Sequence, residues 1–429
     1  MLWPMRPNDF PQPLATLMVA TCNVLNLANP GRLFYENQDP YSQTEFDRKL
    51  TWLGDRFRML NADVLAVQEV WDDAAFKGAL GRSGLRYDFV AVPGAENDAT
   101  RTGAQGTPRV GIATRLKVDA LQSFAEFPPG FQVEIPGLGL HTRFERPPLV
   151  ATLRMKHGQS LNVLTAHLKS KRPKFLQDAQ GNPTEDRDDR KVMALASLRS
   201  LIMRGAEAMA LRCLVIDLLH RTSVPLVVLG DFNDTPDSVT TQLICATNEI
   251  AYDRSARDVA LFNAYDLQGD AALKKDVAYS HIHQGSPSVL DQILVSEEFV
   301  ATSRRAIGDV RRVEVFNDHL FEGRDRSRSD HGFVRALLRL TGEDNLFALL
   351  AGAGLITQFG GQAFINILVN LKLFPSKGMT LPLISYGGSS TLAVCFTLGL
   401  LLAITRRNPF LAREGGSLRD LIERKDPSA

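Results

Sequence analysis

The sequence predicts an α/β fold for residues 15–340, followed by a helical segment dominated by apolar residues. Three observations predict it. Short apolar runs of strand length alternate with runs of helical spacing and polar loops. Several of the apolar runs end in one polar or titratable side chain. Composition changes abruptly near Thr341, beyond which charged residues vanish for long stretches.

Taken in order, Met1 to Leu14 carries four prolines and no continuous apolar run, so it is expected to be an extension rather than a secretory signal. Met18 to Asn23 reads as a strand ending in a side-chain amide. Phe46, Leu50, Leu53, Phe57 and Leu60 recur at helical spacing. Val64 to Val67 is too short for a helix and apolar enough for a strand buried on both faces, and it runs into Gln68-Glu69. Leu161 to Ala166 runs into His167, and Leu226 to Leu229 runs through Gly230 into Asp231. Val289 to Val295 reads as a strand with Asp291 inside it. An unpaired buried carboxylate is costly, so a partner such as a histidine is expected for Asp291. Ser329-Asp330-His331-Gly332 leads into a last strand, Phe333 to Leu338.

A single strand-end acid is commonly a turn former or a helix cap. Repetition changes the reading, because the end of a buried strand holds a reactive side chain rigidly beside open surface. Global charge adds little: 49 basic and 48 acidic residues nearly cancel, so no overall field favours nucleic acid or a membrane surface. Local runs do occur, at Lys169, Lys171, Arg172 and Lys174 and at Arg324, Arg326 and Arg328, with the acidic stretch Glu185 to Asp189 close behind the first. They read as solvated loops or as steering charge for an anion. The four cysteines lie far apart without a CxxC pair, which argues against zinc and a disulfide framework and for a reducing compartment.

The ordered set Asn23, Gln68-Glu69, Thr165-Ala166-His167-Leu168, Gly230-Asp231-Phe232-Asn233, Asp291 and Ser329-Asp330-His331 resembles the motif series of the endonuclease/exonuclease/phosphatase superfamily. The resemblance covers residues 15–340 and implies a two-sheet sandwich flanked by helices that hydrolyses phosphate esters with a divalent metal. The residue types suit that chemistry. Glu69 is a hard oxygen ligand for Mg²⁺ or Mn²⁺, and the resemblance places Asn23 and Asp330 in the same metal shell. Asp231 is the candidate base for the attacking water, and Asn233 holds the same region by amide hydrogen bonds. His167 and His331 are candidate donors to the phosphoryl oxygens; the resemblance pairs Asp291 with His331. Arg146, before Pro147-Pro148, matches a substrate-facing position only loosely and reads as a surface arginine. The expected partner is a phosphate-ester substrate, with nucleic acid favoured, although no aromatic-and-basic stripe marks a single-strand channel.

The tail reads differently. Residues 346–371 and 379–405 carry no charge over 26 and 27 positions, each longer than the roughly 20 residues a membrane helix needs. Gln358, Gln362 and Asn366 would line one face of the first. Arg406, Arg407, Arg413, Arg419, Arg424 and Lys425 follow and mark a cytoplasmic side. Pro375 to Ser390 resembles the signature of the SEDS cell-wall glycan polymerases, the FtsW-like division proteins, with Glu343 to about Pro409 resembling their last two membrane helices. Most of such a polymerase is missing, so glycan polymerisation is not expected. The expected organisation is an extension (1–14), a phosphoesterase domain (15–340), an α-helical membrane hairpin (341–409, membrane contact through 346–405) and a polar tail (410–429). The catalytic domain would be cytoplasmic and tethered to the inner membrane. The competing reading is an FtsW-like membrane fragment whose soluble half is a binding module.

Overall fold

A computed structural model describes residues 16–34, 38–94, 107–155, 158–178, 181–268, 278–303, 305–323 and 325–340, with residues 354–358, 360–361, 364–365, 367–369, 371–373 and 395–400 of the tail. By its contacts the chain divides into two units, Ala15–Leu340 and the two terminal stretches together.

The larger unit opens with strand β1 (Thr16–Leu27), helix α1 (Gln43–Leu60), β2 (Val64–Val70), α2 (Asp73–Ser83), β3 (Phe89–Ala91) and β4 (Arg109–Thr114). There follow β5 (Lys117–Ser123), β6 (Val133–Ile135), β7 (Gly139–His141), β8 (Leu149–Arg154), β9 (Ser160–His167), α3 (Arg190–Leu219), β10 (Leu226–Asp231) and α4 (Val239–Cys245). The last elements are β11 (Leu261–Asn263), β12 (His281–His283), β13 (Ser286–Ser288), β14 (Asp291–Ser296), β15 (Gly308–Phe316) and β16 (Phe333–Leu340). One six-stranded sheet has the order β15-β16-β1-β2-β4-β3, and the other β11-β14-β10-β9-β8-β5. Each is mixed: β1 and β2 are parallel around α1, β9 and β10 are parallel around α3, and the other pairs are antiparallel.

Strand alternation sorts the side chains into layers. Leu17, Val19, Val64, Ala66, Leu161, Val163, Val227, Leu229, Ile293 and Val295 form the core between the sheets. Their neighbours in sequence turn outward. Ala20, Cys22, Leu65 and Val67 meet Phe57 of α1 and Phe76 of α2, and Leu164, Ala166, Leu226 and Val228 meet Leu211 and Val215 of α3. Strands buried on both faces read as continuous apolar runs for this reason. Helix α1 begins in a capping box between Ser42 and Glu45 and stops at Asn61 in the left-handed conformation. The acidic stretch also has work inside the fold: Asp189 caps α3, and Glu185 takes a two-pronged bond from the buried Arg199.

Two expectations change. Asp291 is the first residue of its strand rather than an interior one, because the chain before it is used by the β12–β13 hairpin. The basic run after His167 is not a free solvated loop: Lys169 is buried, Lys171 lies 3.0 Å from Asp234, and Lys174 reaches Glu145 at 3.9 Å. In the tail, the described residues of 354–369 and 395–400 are helical. Among the described residues, no helix is long and apolar enough to cross a membrane. Most of the segment expected to span a bilayer, the N-terminal extension and the polar C-terminus lie outside the described residues.

Candidate functional site

The alternation that fills the inter-sheet core with Leu17 and Val19, Val227 and Leu229, and Ile293 and Val295 continues to the strand ends, where the side chains become polar. Asn23, His167, Asp231 and Asp291 occupy inward positions of β1, β9, β10 and β14, with Thr21 and Thr165 one inward step before the first two. Register aligns them: Asp231 faces His167 on one side and Asp291 on the other, and Asn23 faces Gln68. The centre is the polar end of the core between the sheets.

Two backbone devices complete it. β2 slips register between Val67 and Val70, and Glu69 there has φ of 64°, a left-handed conformation unusual for a residue with a side chain. This bulge lets consecutive residues serve different tasks. Gln68 bonds Thr21 (3.2 Å) and Thr165 (3.3 Å), joining the two sheets through buried neutral groups. Glu69 turns to the rim, where its carboxylate accepts from Asn23 Nδ2 (3.2 Å) and the Asn26 amide (3.0 Å). In the second sheet Gly230 is obligatory, because a Cβ there would overlap the carbonyl oxygen of Ala166 on β9. Asn233 takes φ of 53°. Its amide N–H donates to Asp231 Oδ1 (2.8 Å), and its side chain to the Leu168 carbonyl (2.9 Å).

Asn23 is the link between the halves, donating from Nδ2 to Glu69 and, at 3.0 Å, to Asp231 Oδ2. His167 Nε2 lies 3.4 Å and His331 Nε2 3.8 Å from that same oxygen. His331 Nδ1 is 2.7 Å from Asp291 Oδ2, the buried partner expected for that acid. Ser329 ties the final loop down: its hydroxyl donates to the Asn23 carbonyl (2.6 Å) and accepts from the His331 amide (3.0 Å). Asp330 is exposed, beside the pair, and its field reaches both Glu69 and His331.

The electrostatics follow from this crowding. Burial, and then the neighbouring Asp330, push the Glu69 carboxyl above its ordinary range. Burial also raises Asp231; His331 opposes the shift and Asp291 adds to it. Burial and the nearby Arg146 hold His167 well below the ordinary imidazole value, so it is neutral. Burial disfavours charge on His331 too, but Asp291, Asp231 and Asp330 outweigh it and raise that ring well above the usual value. The two imidazoles are thus driven apart, His167 away from the charged form and His331 toward it.

Asp231, Asp291 and His331 each offer a ligand atom within 4.8 Å of the others, close enough to hold a metal ion. However, the His331–Asp291 bond engages this trio with itself. Glu69 fits a hard cation better: its carboxylate is destabilised by burial and by a second carboxylate, and a cation would relieve both.

Arg146 is not a surface arginine. It is partly buried, donates to the Leu168 carbonyl (2.9 Å), and its field reaches His167 and Glu69. Lys49 was hidden from the sequence reading among the apolar positions of α1. It is fully buried, with Nζ 3.1 Å from the Arg326 carbonyl and 5.4 Å from the centre of the Tyr41 ring, and so anchors the loop that carries Asp330. Burial lowers its pKa to about 7, against the pull of Asp330 and Glu69. A cation in the middle of an apolar helix face was the available signal. Glu207 had none. From α3 it accepts the backbone amides of Glu145 (2.9 Å) and Lys169 (2.6 Å), flanking Arg146 and Leu168.

The fold and this centre define a phosphoester-hydrolysing enzyme. Residues 20–331 match the Endonuclease/Exonuclease/phosphatase family profile, and the chain belongs to that family, whose enzymes generally depend on a divalent metal. Residues 333–409 match the Cell cycle protein profile of the FtsW, RodA and SpoVE type. The catalytic domain of human Nocturnin is similar in structure at 18% identity, over 76% of this chain and 95% of that one, with a TM-score of 0.46. A mannosyl-6-phosphatase of Bacteroides thetaiotaomicron is similar at 14% identity, over 75% of this chain and 99% of that one, with a TM-score of 0.45. The "Probable peptidoglycan glycosyltransferase FtsW" of Caulobacter vibrioides is 53% identical over 76 residues, 18% of this chain and 20% of that protein. The chain thus spans about a fifth of the length of that curated relative.

Proposed function

We propose that residues 15–340 hydrolyse a phosphodiester by direct attack of water, with Asp231 as the base. The observation that carries this reading is the convergence of Asn23, Glu69, His167, Asp231 and the Asp291–His331 pair at one end of the inter-sheet core. Asp231, held by Asn23 and the Asn233 amide, is oriented to take the proton from the attacking water, and its raised affinity for a proton suits the task. Neutral His167 and cationic His331 donate to the phosphoryl oxygens as negative charge grows there. Asp291 keeps His331 charged and turned inward. Glu69 would hold Mg²⁺ or Mn²⁺, with Asn23 and Asp330 completing the site; the ion, when bound, supplies positive charge against the phosphoryl oxygens. The substrate class favoured is a nucleic acid or nucleotide ester.

The test uses the full chain in mild detergent with bis(p-nitrophenyl) phosphate. Hydrolysis is expected with Mg²⁺ or Mn²⁺, is abolished by EDTA and is restored by adding the metal back. Equal rates with and without chelator would sink the reading.

For the tail, the FtsW-type match over residues 333–409 and the two long charge-free stretches support a membrane hairpin that tethers the domain to the cytoplasmic side of the inner membrane. Recovery of the full chain from cells in the soluble fraction without detergent would count against it.

A further inference from the structure

The hairpin before Asp291 has no part in the reaction described above, yet it is fastened to the catalytic pair. The Ser280 hydroxyl accepts the amides of Leu290 (3.0 Å) and Asp291 (2.9 Å), and the Ser280 carbonyl accepts the Gly332 amide (2.6 Å). His281 forms an antiparallel bridge with His331 itself. Gln284 and Gly285 both take positive φ at the tip, the conformation of a tight two-residue hairpin turn. The hairpin is therefore short, with a fixed register relative to His331.

Strand alternation puts His281 and His283 on one face. The His281 ring lies 4.9 Å from that of His331, and the His283 ring 6.3 Å further along and nearly parallel, at 18°. Burial falls along the row: His331 is buried, His281 is partly buried and His283 is exposed. Nδ1 of His281 is buried and has no hydrogen-bond partner among the described residues. Three imidazoles thus lead from the reacting centre to solvent. Burial, and then the neighbouring His331, lower the pKa of His281. Flat rings in a row offer stacking to a flat ring attached next to the scissile phosphate.

We propose that His281 and His283 form a subsite that stacks a nucleobase carried on the phosphate, and so favour nucleotide-bearing esters over simple ones. The inference rests on the phosphodiesterase reading of the adjacent centre, but its test is a binding measurement.

With the full chain and Mg²⁺, calorimetric titration compares thymidine 5′-monophosphate with methyl phosphate, which carries the same phosphate group without a base. The nucleotide is expected to bind at least about tenfold more tightly. In the double variant His281→Ala/His283→Ala that advantage disappears, while His283→Phe, which keeps a flat ring, retains it. The same advantage in wild type and double variant, or none in wild type, overturns the subsite. Loss of the advantage in His283→Phe as complete as in the double variant also overturns it, since a stacking role survives that exchange. Hydrolysis of bis(p-nitrophenyl) phosphate, measured in parallel, separates the two claims. Turnover without a nucleotide advantage removes only the subsite, and an advantage without metal-dependent turnover removes the phosphodiesterase reading.

Discussion

Sheet one and sheet two each carry candidate site residues at the end of a parallel βαβ crossover, but they finish it in opposite ways. β2 ends in a bulge that strains Glu69 into a left-handed backbone. β10 ends through Gly230, lying so close to β9 that no side chain fits. The first device stores strain to aim a carboxylate at the rim. The second removes a side chain so that Asp231 and His167 can stand side by side. In the proposed mechanism the sheet with the strained end supplies the oxygen-rich cation side, and the close-packed end supplies the proton-handling side.

This contrast can be broken at several points. Gly230→Ala is expected to have the largest effect, because the obstructing atom is backbone and cannot rotate away: a loss of about 4 kcal/mol or more, read as a fall in the urea midpoint. Asp231→Asn should leave the unfolding midpoint nearly unchanged and lower turnover about a thousandfold. Near-normal hydrolysis would remove Asp231 from the mechanism.

Glu207→Gln tests the support beneath the second sheet through pH. Burial raises this carboxyl from 4.5 to about 7 in the folded protein. Its contribution to stability is therefore fully present below about pH 4.5 and is lost as pH rises through 7, amounting to up to about 3 kcal/mol. Wild type should lose more stability than Glu207→Gln between pH 4.5 and 8. Parallel stability–pH curves for the two would contradict it. Glu69→Gly should have the smallest effect on stability: relief of the left-handed backbone is offset by the added chain entropy and by the lost bonds to Asn23 and Asn26, so the change stays within about 1 kcal/mol. Metal-dependent activity should vanish in the same variant. A Glu69→Gly variant destabilised beyond that would show that the bulge is held by contacts rather than strained.

Much of this was legible from residues. Runs such as Val64–Val67 and Leu226–Leu229 announced strands buried on both faces, and the need to pair Asp291 announced a histidine partner. Alternation could not reveal which strand ends meet, since that depends on register between strands far apart in the chain. The bulge at Glu69 was invisible for a different reason: Gln68-Glu69-Val70 contains no glycine or proline to mark a break. Arg146 was misread because the carbonyls it bonds, at the end of β9, are brought to it by the fold, and the acidic partners of the basic run, Glu145 and Asp234, likewise come from distant segments. Lys49 left a trace as a cation within an apolar face, whereas Glu207 sits in a long helix with a weakly sided pattern and left none.

The link through Thr21, Gln68 and Thr165 carries a consequence for how the enzyme tolerates its surroundings. Hydroxyls and an amide neither gain nor lose protons across the physiological range and respond little to added salt. The clamp that spaces the Glu69 end of one sheet from the Asp231 end of the other is therefore insulated from the medium. Acidity and ionic strength can alter how the centre reacts without altering how far apart its halves stand.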